Sequence, residues 1–136
     1  MEFIHYYPSG RLLIAILLLI VIDLITGMTK ATINKQRRTS EGLRRTFSKF
    51  MQYGGSIIVS MILLNIIHHS TPEFSSEISR LFGSLMLMIM IYIEVVSVFE
   101  NLEEINPKSD FVRYFIKPVR RLLTFRIKNL FGEDNR

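Results

Sequence analysis

The chain has 136 residues, of which 49% are hydrophobic, with a net charge of +5, a pI near 9.7 and no cysteine. That length has room for one domain, and the apolar residues gather into three stretches, which excludes a large separate water-soluble domain. The missing cysteine removes disulfides, thiolate metal sites and cysteine nucleophiles.

The first ten residues, MEFIHYYPSG, form a short lead-in. Tyr6 and Tyr7 suit an interfacial anchor, and Pro8-Ser9-Gly10 breaks the chain before the first helix. Leu12–Ile22 contains no polar residue and continues past Asp23 to Met28. Because Asp23 and a basic segment follow, with no small-residue cleavage site, the stretch is expected to stay as a helix and not to be removed as a signal peptide. The helix is expected to run through Ala31 to about Gln36, with Thr39-Ser40-Glu41-Gly42 as a turn or cap and Leu43 opening the second helix. Phe50–Ile67 is the second apolar stretch and Leu81–Phe99 the third, with Thr71-Pro72-Glu73 as a helix start between them and Thr71 as its N-cap. Each stretch has roughly the 17–25 residues needed to cross a bilayer. A soluble bundle would need a polar outward stripe on each helix, and neither Ile57–Leu64 nor Leu85–Ile93 carries one.

The charges fix an expected orientation. Lys30, Lys35, Arg37, Arg38, Arg44, Arg45 and Lys49 lie between the first two stretches against a single Glu41. Lys108, Arg113, Lys117, Arg120, Arg121, Arg126, Lys128 and Arg136 follow the third, whereas the segment between the second and third has only Arg80. Lys and Arg stay on the cytoplasmic side of short loops, which also argues against nucleic acid as the reason for the basic pI. The sequence therefore predicts an all-α membrane protein with three transmembrane helices, N-out and C-in, over residues 1–105. A cytoplasmic basic tail occupies residues 106–136. In that tail, Asn106–Asp110 reads as a turn, and Phe111, Phe115, Val119, Leu122 and Leu130 recur at helical spacing. That pattern predicts a basic amphipathic helix on anionic lipid, with Phe111, Phe115, Val119 and Leu122 in the interface and Arg113, Lys117, Arg120 and Arg121 on headgroups. Pro118 is expected to interrupt or kink it. The simpler alternative is a partly ordered basic tail that only sets topology.

Asp23 and Glu94 are the acids inside the apolar stretches. A charge at mid-bilayer costs about 2.5–3.5 kcal/mol or more, so such residues face a bundle interior or water and find partners. Each lies five residues before the inner end of its stretch, at Met28 or Phe99, so the two could share one layer. Helical spacing extends that layer into polar strips: Asp23, Gly27 and Lys30 with Thr26 beside them; Glu94, Ser97 and Asn101 with Glu100; and Lys49, Tyr53, Ser56 and Ser60. The outer halves of the helices read as wholly apolar. Partners expected for the acids within one copy are Lys30, Lys49, Arg44 or hydroxyls; the competing arrangement turns the acids to water in a lumen between copies. Gly54, Gly55, Ser56, Ser60, Gly83 and Ser84 are small enough to let helices approach closely. No nucleophile–base pair or phosphate-cradling loop is present. His68-His69 lacks a third ligand, so neither catalysis, metal nor cofactor is expected.

These residues resemble a family signature. Asp23-Leu-Ile-Thr26-Gly27, Ala31, Thr39-Ser40-Glu41-Gly42-Leu43-Arg44-Arg45 and Glu94-Val-Val-Ser97-Val-Phe-Glu100-Asn101-Leu102 resemble the small phage holins related to the clostridial toxin-secretion proteins, over about residues 12–105. Those proteins carry a D-x-x-T-G at the end of the first helix, a Ser/Gly-rich basic loop and an E-x-x-S-x-x-E-N near the end of the last. The chain departs from them in keeping only one of the usual serines at Thr39-Ser40, in its longer tail beyond Pro107, and in lacking a methionine pair near the start. The resemblance implies a pore-forming homo-oligomer of the bacterial inner membrane that releases an endolysin or another large protein. Two other functions fit the same spans: an effector that depolarises its own cell in phage defence, and a non-pore adaptor subunit recruited through the tail.

Overall fold

A computed structural model describes residues 6–35, 40–67, 78–79 and 81–131, with side chains up to Arg126. The described residues form helices and connecting turns. Helix α1 is Gly10–Ile33, α2 is Ser40–Ile67 and α3 is Leu81–Ile105. A fourth helix, α4, opens with the wide turn Val112–Ile116 and continues through Lys117–Phe131. At 1.5 Å per residue the first three are roughly 36–42 Å long, more than the ~30 Å of hydrocarbon in a bilayer.

Helix α1 begins at Gly10, which was expected in the break before it, with Ser9 as N-cap and the Leu13 N–H donating to Ser9 O at 3.0 Å. It stops at Ile33, short of Gln36. Lys35 turns into the left-handed region at φ 52°, and the N–H groups of Asn34 and Lys35 close back on Lys30 O and Thr32 O. A left-handed residue cannot continue a right-handed helix. Helix α2 starts at Ser40, earlier than the expected Leu43, so Ser40-Glu41-Gly42 is its first turn and not a turn before it. Glu41 sits where the helix dipole favours an acid and also pairs with Arg45 one turn on, at 2.7 Å. Thr39, His68-His69 and Thr71-Pro72-Glu73 lie outside the described residues.

Helices α1 and α3 run parallel and pack along most of their length. Their common core is Ile16 and Ile20 against Leu87 and Met90, flanked by Leu12, Leu13, Met86 and Ile91. Helix α2 runs the other way and adds Tyr53 and Ile57 to the edge of this core. Its contacts with the pair are sparser, and they are concentrated at Lys49 and Tyr53 near one end and at Ser60, Leu64 and Ile67 near the other. Most large apolar side chains face outward, among them Leu17, Leu18, Ile25, Phe47, Met51, Ile58, Val59, Ile62 and Met88. In water such a continuous apolar belt would be an aggregation surface. Around three helices of spanning length it is the surface that meets lipid.

Polar side chains inside the spans are satisfied locally. The hydroxyls of Thr26, Thr29 and Thr32 donate to the carbonyls of Ile22, Ile25 and Met28, and those of Ser56 and Ser60 to Gln52 O and Ser56 O. This back-bonding lets a hydroxyl enter an apolar helix without an unpaired donor. The outer half of α2 is not wholly apolar. Asn65 holds the lead-in at Tyr6, accepting from Tyr6 N–H at 3.2 Å and donating to Tyr6 O at 3.3 Å. A side-chain amide offers both a donor and an acceptor, so one residue can pair an extended backbone the way a neighbouring strand would.

Pro118 neither breaks nor ends α4. Its ring would collide with the carbonyl four residues back, at Tyr114. The turn before it is widened instead, so that the Lys117 N–H reaches Val112 O, five residues back, and the helix runs on.

Candidate functional site: a polar layer in the bundle

Asp23, Lys49 and Glu94 sit roughly 14–16 Å along their helices from Ile33, Ser40 and Ile105, the ends that share the basic side of the bundle. Equal depth on three helices brings them together. Lys49 Nζ donates to Asp23 Oδ2 at 2.6 Å and to Glu94 Oε2 at 2.9 Å, bridging the two acids. Each acid has further donors for its second oxygen. Tyr53 Oη donates to Glu94 Oε1 at 2.7 Å. Ser97 Oγ and Asn101 Nδ2 donate to Asp23 Oδ1 at 2.7 and 2.9 Å, and Asn101 also reaches Thr26 Oγ1 at 3.3 Å. Glu94 is completely buried, while Lys49 keeps 23% of its side chain exposed. Among the described residues no buried side-chain nitrogen or oxygen lacks a partner.

The chemistry of this layer is cohesion. Two carboxylates against one ammonium leave a formal charge of −1, held in place by neutral donors. Such a network is strong only when every member is satisfied, because each unpaired group would be left in a low dielectric. Gly27 faces it from α1, where a Cβ would come within 3.6 Å of Asn101 Nδ2. Beside the layer a cleft of about 460 Å³ opens between α1 and α2, lined by Asp23, Lys30, Glu41, Arg45 and Lys49 among others.

The expected strips are only partly assembled here. Asp23, Thr26, Gly27, Glu94, Ser97 and Asn101 meet. Lys30 turns instead to Glu104, at 3.3 Å, because it lies two turns beyond Asp23 towards the basic end. Glu100 points to Arg120, at 3.9 Å, on another face of α3, and Arg44 is exposed. Lys49 and Tyr53 supply the two donors from α2; their four-residue spacing was the signal that they share one face. Of the small residues, Ser60 is buried and touches Met86 Sδ at 3.2 Å. Among the described residues nothing lies within 4 Å of where a Cβ would stand on Gly54, Gly55 or Gly83. Gly83 lies in the irregular turn Leu81–Leu85 that opens α3, and Ser84 beside it is exposed.

In the tail, Val112 and Ile116 are buried against α3, and Phe111 stacks on Phe115 with ring centroids 5.2 Å apart. Arg120 Nε donates to Glu103 at 2.8 Å and Lys117 lies 3.9 Å from the same carboxylate. Lys117 and Arg120 were expected on headgroups; they are drawn to acids of α3 because α4 folds back along its last turns. Arg113 and Arg121 remain exposed, Arg113 over the Tyr114 ring at 5.6 Å.

Comparison with protein families gives a match to the bacteriophage holin family over residues 4–120, which covers all three spans, the polar layer and the first part of α4. The chain belongs to the bacteriophage holin family. Comparisons with curated proteins and with solved structures return no match. As a holin-family chain with three helices of spanning length, it is a multi-pass membrane protein of a non-enzymatic class.

Proposed function

We propose that this holin-family chain forms pores: it accumulates in the bacterial inner membrane, self-associates, and opens lesions through which an endolysin or another large protein leaves. The observation that carries this reading is the bridge from Lys49 to Asp23 and Glu94, which closes a polar layer within one copy while α2 is otherwise lightly held. A membrane protein that hides its charged groups in this way has an alternative at high density, because neighbouring copies and water compete for the same donors and acceptors. A difference of a few kcal/mol between the arrangements is then enough to shift the population. Gly54 and Gly55, with open space over their Cα atoms, give a neighbouring helix room for close approach.

The direct test is crosslinking in native membranes at expression levels that permeabilise cells. Homo-oligomers are the expected product. Monomers at those levels would defeat the pore reading and favour an adaptor subunit. Depolarisation with no passage of protein-sized cargo would favour a depolarising effector.

Two further expectations accompany the proposal. Asp23→Asn and Glu94→Gln should change the timing or extent of permeabilisation without preventing insertion, since Ser97, Asn101 and Tyr53 can still hydrogen-bond an amide; no change in either variant would make the acids incidental. The Lys/Arg asymmetry gives N-out, C-in. A reporter after Arg136 should be active only in its cytoplasmic form and one near Glu73 only in its exported form, and the opposite pattern would reverse the topology.

A further inference from the structure

Helix α4 is held against α3 on one side and left apolar on another. Val112 and Ile116 pack inward, and Glu100 and Glu103, one turn apart on α3, engage Arg120 and Lys117, one turn apart on α4. That pairing order means α4 doubles back along the last turns of α3. Helix α3 exceeds the hydrocarbon thickness by roughly 7 Å, so its final turns emerge from the bilayer and a helix folded back on them lies at the bilayer surface.

Beyond the wide turn, Leu122 and Phe125 fall within a sector of roughly 60° at 3.6 residues per turn, and Phe111 and Phe115 stack on each other across that turn. All four are exposed, Leu122 by 65% and Phe125 by 63%. Arg121 and Arg126, both exposed, flank this sector on either side. Lys117 and Arg120 are already committed to α3, and Arg113 lies away from the sector, over Tyr114. An apolar row bordered by cations matches the acyl–headgroup boundary of an anionic leaflet, where the rings enter and the guanidinium groups reach lipid phosphates.

We propose that α4 docks on the anionic bilayer surface beside α3, with Phe111, Phe115, Leu122 and Phe125 inserted at the headgroup boundary and Arg121 and Arg126 on lipid phosphates. The proposal rests on the membrane reading of the three spans but not on pore formation.

The chain has no tryptophan, so single reporters can be read in the full-length protein. Phe115→Trp and Phe125→Trp variants, reconstituted in vesicles of phosphatidylcholine with or without phosphatidylglycerol, should show blue-shifted emission quenched by brominated lipid, more strongly with phosphatidylglycerol. Each arginine near an anionic surface is worth about fivefold, so Arg121→Gln with Arg126→Gln should lower the ratio of docked to undocked tail by about 25-fold. Arg113→Gln should leave it unchanged. Water-like emission from both reporters, while a Leu17→Trp reporter in α1 is quenched by brominated lipid, would overturn docking and leave the spans intact. Blue shifts that follow protein-to-lipid ratio and ignore lipid charge would overturn it in favour of tail packing between copies. Equal quenching in neutral and anionic vesicles would overturn docking through the charge of an anionic leaflet.

Discussion

Lys49→Met should be among the most damaging single substitutions in this protein. It removes the cation that Asp23 and Glu94 share and leaves two carboxylates facing each other inside the bundle, one of them fully buried. Breaking a buried pair in this way costs about 3–5 kcal/mol, with the lower end expected because part of the Lys49 side chain is exposed. Since α2 is otherwise lightly held, the loss should appear as release of its basic end, read as faster proteolysis between Gly42 and Lys49 in detergent or nanodiscs. The combination Lys49→Met, Asp23→Asn, Glu94→Gln should recover most of the stability, because Tyr53, Ser97 and Asn101 can still donate to the amide oxygens and no charge remains unpaired. A single Lys49→Met as stable as the parent chain would mean that α2 is held by something other than this bridge.

The second large effect is expected at Gly27, through size and not charge. A methyl group there would meet Asn101 Nδ2 at 3.6 Å, an ordinary van der Waals distance, so Gly27→Ala should be tolerated. Gly27→Leu cannot be accommodated without moving Asn101, which donates to both Asp23 and Thr26. Overpacking costs about 1–3 kcal/mol, and loss of the Asn101 bonds adds to it where Asp23 loses a donor.

 Thermal stability of the purified variants should separate them by several degrees, with Ala close to the parent. Equal stability of the Ala and Leu variants would show that α1 and α3 do not depend on close approach at this point.

The three spans were legible because span length and apolar content are local properties. Leu12–Met28, Phe50–Ile67 and Leu81–Phe99 each carry them without reference to the rest of the chain. The acids were equally legible as residues that need partners, since Asp23 and Glu94 stand in otherwise apolar runs and lie at one depth. Helix ends were less so. The left-handed turn at Lys35 has no composition signal, because lysine does not demand that backbone, and Ser40-Glu41 suits either a cap before a helix or its first turn.

What the sequence by itself determined is therefore the number of spanning helices, the basic side of the bundle and the depth of its polar layer. Only the tertiary structure decided which cation meets which acid. Lys30 and Lys49 both lie within a few turns of the layer, and the choice depends on how each helix is rotated about its axis. That rotation is set by Ile16, Ile20, Leu87 and Met90 packing between α1 and α3, a long-range contact. It turns Lys30 towards Glu104 and leaves the two acids to Lys49. The tail follows the same logic. Its amphipathic spacing is written in the sequence, but the fold-back of α4 onto α3 determines that Lys117 and Arg120 neutralise Glu100 and Glu103 while Arg121 stays free of α3. Local pattern fixes what each helix can offer, and the packing angle between helices fixes which of those offers meet.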